Sequence, residues 1–356
     1  MTGGAARRAV AFALPGDIHT RSGGTHYDRR VIESLRTCGQ PVQHVALPAS
    51  WPAPCADDTR ETLARLHALP AGMPLIIDGL TFGAMQTRDA ASLKRPVIVM
   101  LHHPLGLETG LAPARAAELI ARETANLDHA QHIIVPSGHI GGLLQDRFGV
   151  DAARITVAPP GFDRTDPAPP PLPPIEPPLI LSVGLICPRK GHDILLRALG
   201  QVTDLNWQSV IVGMVQDMGY LKQLEDLRHS LTLQDRVLIA GELSQAALSQ
   251  YYRCAHIFAL ATRYEGYGIV LGEAQLHALP IVTCDSGAVG ETLHGAGVLT
   301  PPDDPDAFAQ ALRNLLSDKA LYDDLARKSH VAGAALPGWH DTAQIFRRVI
   351  ADCAAR

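Results

Sequence analysis

The sequence predicts an α/β protein built from two doubly wound, Rossmann-like domains. Apolar residues make up 46% of the 356 residues and aromatic residues only 5%, which is typical of an α/β protein rather than a β-sandwich or a disordered chain. Short apolar runs alternate with longer helix-like segments, a pattern that indicates parallel strands buried on both faces. A chain of this length exceeds the usual limit of one hydrophobic core, so two domains are expected.

The first domain is predicted to span residues 1–166. Its candidate strands are AVAFALPG, PLIIDG, PVIVMLHH, HIIVPSG and RITVAPPG. Helix-like segments such as THYDRRVIESLRTCG separate them, and each apolar run stops at Gly, Pro, Asp or His, which are common at strand ends.

A proline-rich segment separates the two series of strands. Eight of the twelve residues 167–178 are proline, which favours an extended, stiff linker. A ligand segment for an SH3-type domain is the alternative, but its position between two complete α/β series favours the linker. The second domain is then predicted to span residues 179–336, with strands PLILSVG, SVIVG, RVLIAG, HIFALAT and PIVTCDSG. In open α/β sheets ligands bind at the carboxyl ends of the strands, so we expect a site in a cleft between the domains.

Charge and cysteine content exclude several classes of function. The net charge of −5 gives no general attraction for nucleic acid. The six cysteines lie far apart without a C-x-x-C pair, which indicates neither a zinc site nor a disulfide framework. The first apolar run ends at Pro15 and is interpreted as a strand, and no run reaches the roughly 18–20 residues of a membrane span. We therefore expect a cytoplasmic protein.

The stretch RYEGYGIVLGEA, residues 263–274, carries two glutamates eight positions apart. Its glycines predict a loop that leads into a helix beginning near Gly268, which leaves Glu265 on the loop and Glu273 in the second helical turn. A helix N-terminus attracts anions, and carboxylates accept hydrogen bonds from hydroxyls. This pattern predicts a ligand with phosphate in the middle and sugars on either side.

Other candidate residues follow strands. Arg189 and Lys190 lie in an exposed loop where a helix begins, and they either add cations to an anion site or form a solvated basic pair. Gly23 and Gly24 either bring the backbone close to a ligand or form an ordinary turn. His102 ends a strand and could donate to a sugar or phosphate oxygen, although such histidines are more often structural.

Metal, cofactor and covalent chemistry are not predicted. The sequence contains no G-x-x-x-x-G-K-[ST], H-E-x-x-H or G-x-S-x-G motif, and the loop before Lys190 has no G-x-G-x-x-G. Asp304 and Asp306 form a D-x-D motif that is better explained as the capped start of a helix than as a metal site.

The order of these motifs resembles that of the retaining glycosyltransferases of family four, which have the two-domain GT-B fold. EGYGIVLGEA at 265–274 matches the family pattern EGFG-(apolar)-EA, and ALPIVTCDSGAVGET follows it as in the family. RVLIAGELSQAALSQYYRCAHIFALATRYEG has the family's order of strand, Gly, helix and strand. In the first half, Gly23-Gly24, His102 and VAPPGFD fit their counterparts. Residues 337–356, with PGWHDTAQIFRRVIADC, resemble the terminal helix that crosses back to the first domain.

The resemblance implies a nucleotide-sugar donor held mainly by the second domain. Glu273 would bind the ribose hydroxyls, Glu265 would contact hydroxyls of the transferred sugar, and Lys190 would neutralise the diphosphate. The backbone N–H groups expected to cradle the diphosphate belong to Gly268, Ile269 and Val270. The front-face mechanism that the resemblance implies needs no covalent nucleophile, no metal and no cofactor, and His102 would steady the sugar.

The implied activity is transfer of a hexose from a UDP- or GDP-sugar to a glycan or lipid-linked acceptor, with peripheral contact at the inner membrane face left open. The family usually has Arg where this chain has Leu185, and Arg189 or Arg263 is the candidate replacement. A non-catalytic relative that binds nucleotide-sugar is therefore the alternative. Phosphorylases and epimerases share the fold but are less consistent with the chain's size and motifs.

Overall fold

The computed structural model describes residues 8–20, 22–164 and 175–355. The described residues form two compact units. One contains the residues up to Gly161 together with those from Pro337 onward, and the other is Phe162–Leu336. The predicted linker, residues 167–178, lies mostly outside the described residues.

The first unit is a six-stranded, fully parallel sheet flanked by helices. The strand order is β2-β1-β3-β4-β5-β6, and the four-residue strands β3 and β4 are buried along their whole length. This confirms the predicted parallel sheet with strands buried on both faces. In chain order the elements are β1 (Val10–Pro15), α1 (Gly23–Thr37), β2 (Val42–Leu47), α2 (Ala56–His67), β3 (Leu75–Asp78), α3 (Gly79–Ala84), α4 (Thr87–Ser92), β4 (Val97–Met100), α5 (Pro113–Leu127), β5 (His132–Val135), α6 (Gly138–Phe148) and β6 (Ile155–Val157).

The second unit repeats this architecture with a second six-stranded parallel sheet. Its strand order is β12-β11-β10-β7-β8-β9, so the order reverses between β7 and β10. In chain order the elements are β7 (Leu179–Val183), α7 (His192–Gly200), β8 (Gln208–Val212), α8 (Met218–Ser230), β9 (Val237–Gly241), α9 (Gln245–Cys254), β10 (Ile257–Leu260), α10 (Ile269–Leu276), β11 (Ile281–Cys284), α11 (Val289–Leu293), β12 (Gly297–Thr300), α12 (Pro305–Ser317) and α13 (Lys319–Ala335).

Helix α14 (Trp339–Ala355) packs in the first unit, against α1 and β5. The rings of Trp339 and Phe346 lie with their centroids 5.7 and 6.2 Å from that of Tyr27. Gly161 makes this packing sterically feasible, because a Cβ there would lie 2.2 Å from the backbone nitrogen of Trp339. The first unit is therefore assembled from two segments that are separated in sequence by the whole second unit.

Two strands, β2 and β12, were not predicted from the sequence, and both are edge strands. β2 and β12 each pair on one side only, and most of their residues are partly exposed. Their sequences, VQHVAL and GVLT, lack the long apolar runs of the central strands. A strand at a sheet edge buries less of its surface, so its composition gives a weaker signal.

Among the described residues, no helix is both long and apolar enough to cross a membrane.

Candidate functional site

The reversal of strand order in the second unit brings two loops together. β7 and β10 are paired neighbours, with Ile180 opposite Ile257. The loop after β7 carries Arg189 and Lys190 in a 3₁₀ turn, Pro188–Lys190, and the loop after β10 carries Glu265. Such a reversal is the place where doubly wound sheets bind ligands at their carboxyl ends.

Gly191 brings the first of these loops close to the second. It has a positive φ of 64° and caps α7. A Cβ at this position would lie only 1.8 Å from the carbonyl oxygen of Ala261, just beyond β10. Only glycine allows this approach, so the turn holds Lys190 over the end of β10.

Lys190 and Glu265 form a buried ion pair. The ammonium Nζ of Lys190 donates to Oε1 of Glu265 over 2.5 Å, and the hydroxyl of Thr262 donates to the same oxygen over 3.0 Å. The exposed fractions are only 9% for Lys190 and 5% for Glu265. The expectation that Lys190 lies in an exposed loop is therefore wrong, because the Gly191 turn packs it against β10.

The carboxyl of Glu265 is held ionised by its neighbours. Burial acts to raise its pKa, but the positive charges of Lys190 and Arg189 and hydrogen bonds from Lys190 and Thr262 outweigh burial and lower the pKa below its ordinary value. A carboxylate in this state accepts hydrogen bonds, which suits it to bind hydroxyl groups.

Arg263 fastens the loop that carries Arg189. Its backbone N–H donates to the carbonyl of Arg189 over 2.8 Å, and its guanidinium makes two 2.9 Å contacts to Asp193 and one of 2.7 Å to Asp303. Arg189 itself donates to the carbonyl of Tyr264 over 3.2 Å. With its guanidinium bound to two carboxylates, Arg263 is disfavoured as the replacement for the cation missing at Leu185.

Helix α10 begins where the sequence predicts. Gly268 is its N-cap, with φ of 89°, and Ile269 and Val270 form its first turn. The first N–H groups of an α-helix have no partner within the helix, so this end can accept an anion.

Glu273 lies in the second turn of α10 and is held by Tyr252. The Tyr252 hydroxyl donates to Oε2 of Glu273 over 2.8 Å. The Tyr252 ring stacks on His277 with centroids 5.4 Å apart and planes 6° from parallel. Burial raises the pKa of the Glu273 carboxyl, and the hydrogen bond from Tyr252 partly opposes this. Tyr252 was not among the predicted site residues, although YYRC was part of the recognised pattern.

The predicted residues of the first unit also meet. Gly23 and Gly24 open α1 after the N-cap Ser22. A Cβ on Gly24 would lie 3.3 Å from Cδ2 of the His102 ring, whereas Gly23 has open space beside it. Gly24 therefore leaves room for the His102 ring beside the first turn of α1.

Two buried carboxylates surround His102. Its Nε2 lies 2.9 Å from Oδ1 of Asp28 on α1 and 3.9 Å from Oδ2 of Asp78 at the end of β3. Asp28 and Asp78 are 1% and 4% exposed. Asp78 also caps α3 by accepting from the N–H of Leu80 over 2.8 Å. The ring of Tyr27 packs edge-on against His102, with centroids 5.1 Å apart.

These charges perturb one another. Burial and the nearby Asp28 raise the pKa of Asp78 to about 7, against the opposing effects of His102 and two backbone hydrogen bonds. Burial acts to lower the pKa of His102, but the charge and hydrogen bond of Asp28 and the charge of Asp78 raise it above its ordinary value.

The same three side chains could hold a cation, since one ligand atom from each lies within 4.8 Å of the others. This cluster was not predicted from the sequence. Asp78 closes the apolar run PLIIDG as His102 closes PVIVMLHH, so the strand-end rule could have paired them. Nothing in the sequence singles out Asp28 within its helix.

Asp304 accepts from the N–H groups of Asp306 and Ala307 and caps α12, as predicted.

Comparison with known proteins identifies both halves of the chain. Residues 165–330 match the family described as Glycosyl transferases group 1, and residues 27–166 match Glycosyltransferase Family 4. A D-inositol 3-phosphate glycosyltransferase of Kineococcus radiotolerans is 30% identical over 70% of this chain and 64% of its own length. The corresponding protein of Xylanimonas cellulosilytica is 30% identical over 59% and 54%. The chain thus spans less than two thirds of the length of these relatives.

Solved structures resemble the whole chain. Sucrose-phosphate synthase from Thermosynechococcus elongatus has a TM-score of 0.83 at 21% identity, covering 97% of this chain and 100% of that one. Anabaena HepE in complex with UDP and glucose has a TM-score of 0.75 at 17% identity, with the same coverage. At these identities the likeness bears on the fold alone, and it confirms the predicted fold class of two Rossmann-like domains.

Proposed function

Since the chain belongs to the glycosyltransferases of family four, we propose that it transfers a hexose from a UDP- or GDP-sugar to a glycan or glycolipid acceptor with retention of configuration. One observation carries this proposal. Lys190 and Glu265, on the loops after β7 and β10, form an ion pair at the strand-order reversal, and the loop of Glu265 leads into the N-terminus of α10. A cation, a carboxylate and free helix N–H groups fit a ligand that is anionic at one end and hydroxylated at the other.

Each group has a defined part in donor binding. The diphosphate accepts hydrogen bonds from the first turn of α10, at Gly268, Ile269 and Val270, where the helix dipole favours negative charge. Lys190 has three N–H donors, so it can keep Glu265 and still donate to a phosphate oxygen. Glu265 accepts from hydroxyls of the transferred sugar.

Glu273 accepts from the ribose hydroxyls. Its Oε2 already receives the Tyr252 hydroxyl, which fixes the carboxyl and leaves Oε1 for the ligand. The two glutamates thus bind different sugars of one donor, which explains why the chain carries carboxylates on both sides of the glycine turn.

The proposed reaction proceeds on one face of the sugar. The bond between the anomeric carbon and the diphosphate oxygen breaks while the acceptor oxygen bonds to the same face. The acceptor's proton passes to the departing diphosphate oxygen, so no protein nucleophile is consumed. Lys190 and the α10 N-terminus stabilise the charge that develops on the diphosphate, a contribution that is often the largest in such reactions.

A binding protein without catalysis is the second candidate. Leu185 stands where the resemblance leads us to expect Arg, and Arg263 is committed to Asp193 and Asp303. Loss of one cation near the diphosphate would weaken stabilisation of the leaving group. Such a protein would bind a nucleotide-sugar without releasing the nucleoside diphosphate.

The test begins with thermal-shift measurements against UDP, GDP, ADP and their sugars. A ligand at 100 times its Kd adds about 2.7 kcal/mol to the free energy of unfolding. Donors that bind are then assayed for release of nucleoside diphosphate with glycan, glycolipid and inositol phosphate acceptors. Binding without release favours the second candidate, and no binding contradicts both.

Stereochemistry is read from the first-formed product by NMR of the anomeric coupling. Retention is expected, and an inverted centre would contradict the front-face path. A cytoplasmic setting is part of this proposal. Peripheral contact with a membrane is proposed only for the case of a lipid-linked acceptor.

A further inference from the structure

The two nitrogens of His102 have different surroundings. Nε2 points into the first unit, 2.9 Å from Oδ1 of the buried Asp28. Nδ1 has no hydrogen-bond partner among the residues that the structure describes, and it is not among their buried, unpaired polar atoms. The side chain as a whole is 23% exposed. Nδ1 is therefore the ring nitrogen open to a ligand.

The hydrogen bond to Asp28 decides what Nδ1 can do. A carboxylate only accepts, so Nε2 must carry the proton of that bond. In neutral imidazole the other nitrogen is then an acceptor, and in imidazolium both nitrogens donate. His102 therefore offers an N–H to a ligand oxygen when it is protonated and accepts a ligand O–H when it is neutral.

We propose that Asp28 is a positioning residue, which fixes His102 with Nε2–H inward and presents Nδ1 to an oxygen of the ligand. Asp78 is the second carboxylate of the cluster and adds negative charge beside the same ring. This role rests on the proposed function for its ligand, whereas the orientation and protonation of His102 follow from the first unit alone.

The surroundings of the ring contain few other candidates for a proton partner. α1 contributes Asp28 and the ring of Tyr27, and the end of β3 contributes Asp78. Tyr27 donates its hydroxyl to the carbonyl of Ala158 over 2.7 Å, so it packs against His102 without sharing its proton. Gly24, beside the ring, has no side chain that could share a proton.

The experiment is nitrogen-15 NMR of the histidine side chains across pH 5–9, in the full chain with EDTA present. Loss of signals in His102→Gln assigns the resonances. We expect Nε2 of neutral His102 to carry the proton and Nδ1 to carry none. In Asp28→Asn the Nε2–H preference weakens. Asp235→Asn, at an exposed position, is the matched control.

Kinetics supply the second readout. In Asp28→Asn, kcat is expected to fall about tenfold or more while the melting temperature stays close to that of the wild type. A loss of activity that only follows a loss of folded protein would overturn the positioning role.

The NMR arm separates this inference from the proposed function. If no donor is turned over, the wild-type spectra still report which nitrogen is protonated, even if Asp28→Asn does not fold. An Nδ1–H tautomer in the wild type, an unchanged tautomer preference in a folded Asp28→Asn, or His102 signals that change on removing a metal with EDTA would each overturn the inference.

Discussion

Lys190 and Glu265 lie 75 positions apart in sequence, yet Nζ and Oε1 are 2.5 Å apart in a site almost closed to solvent. Removal of one partner from a buried ion pair lowers the free energy of unfolding, because the remaining buried charge is left uncompensated. This changes what a substitution of Lys190 should do.

Lys190→Ala is expected to reduce both activity and stability. Breaking a buried pair costs about 3–5 kcal/mol of unfolding free energy, and loss of one donor to the developing phosphate charge costs roughly 2–4 kcal/mol of transition-state stabilisation. Denaturant unfolding and steady-state kinetics measure the two effects separately. Lys190→Met with Glu265→Gln is the matched double variant, and it should be more stable than Lys190→Ala while equally inactive. If Lys190→Ala retained full turnover, the lysine would have no catalytic part.

Substitution of Glu273 and substitution of Glu265 should change different kinetic constants. Glu273→Gln is expected mainly to raise KM for the donor, because ribose contacts are the same in the ground and transition states. Glu265→Gln should mainly lower kcat, because contacts to the transferred sugar strengthen as it gains positive charge. Donor saturation curves for both variants decide this, and the opposite pattern would mean that the roles are exchanged.

Tyr252→Phe tests whether the position of Glu273 is set by the hydroxyl. Loss of one hydrogen bond to a carboxylate should raise KM for the donor about fivefold, by an effect of about 1 kcal/mol. kcat should change little. Tyr251→Phe, on the neighbouring residue of α9, is the control for the loss of a hydroxyl. A KM unchanged in Tyr252→Phe would show that Glu273 is held by its burial alone.

Glu123 should make the stability of the chain depend on pH. It lies buried on α5, where Oε2 accepts from the N–H of Leu105 over 3.0 Å. Burial raises the pKa of its carboxyl from 4.5 to about 8, against two backbone hydrogen bonds. Between these values the folded chain keeps a proton that the unfolded chain releases, so each rise of one pH unit costs up to about 1.4 kcal/mol.

Glu123→Gln removes this titration and keeps the acceptor oxygen. Melting temperatures at pH 5 and pH 8 should therefore differ less in Glu123→Gln than in the wild type. Glu225→Gln, at an exposed position on α8, should leave the difference as it is in the wild type. An identical pH dependence in wild type and Glu123→Gln would show that Glu123 does not hold the extra proton.

Transfer activity should survive EDTA. In the proposed reaction Lys190 and the N-terminus of α10 supply the positive charge at the diphosphate, so no metal ion is required. Rates before and after dialysis against EDTA, with and without added Mg²⁺ or Zn²⁺, measure this. Complete loss of activity that metal restores would contradict a metal-independent reaction.

The sequence predicts the features that depend on local pattern. Buried strands, the start of α10 at Gly268 and the cap at Asp304 follow from hydrophobic runs, glycine and N-cap chemistry within a few residues. Edge strands β2 and β12 were missed because their sequences, VQHVAL and GVLT, lack long apolar runs, whereas the edge strands β6 and β9 were predicted.

Contacts between segments that are distant in sequence could not be predicted from local patterns. The burial of Lys190 depends on how Gly191 meets Ala261, 70 positions later, and the cluster at His102 depends on a helix and two strands. Asp28 has no local signal, because its neighbours on α1 do not reveal which residue the strand ends will meet.

The position of α14 has a consequence for how the chain is made. Ribosomal synthesis delivers all of Phe162–Leu336 before Trp339 and Phe346 exist, although these residues complete the packing around Tyr27 in the first unit. The second unit is contiguous and can fold as it emerges, whereas the nascent first unit must wait with the apolar surface of α1 uncovered. Its assembly is the late event, and a ribosome stalled before Trp339 would hold a finished second unit beside an unfinished first one.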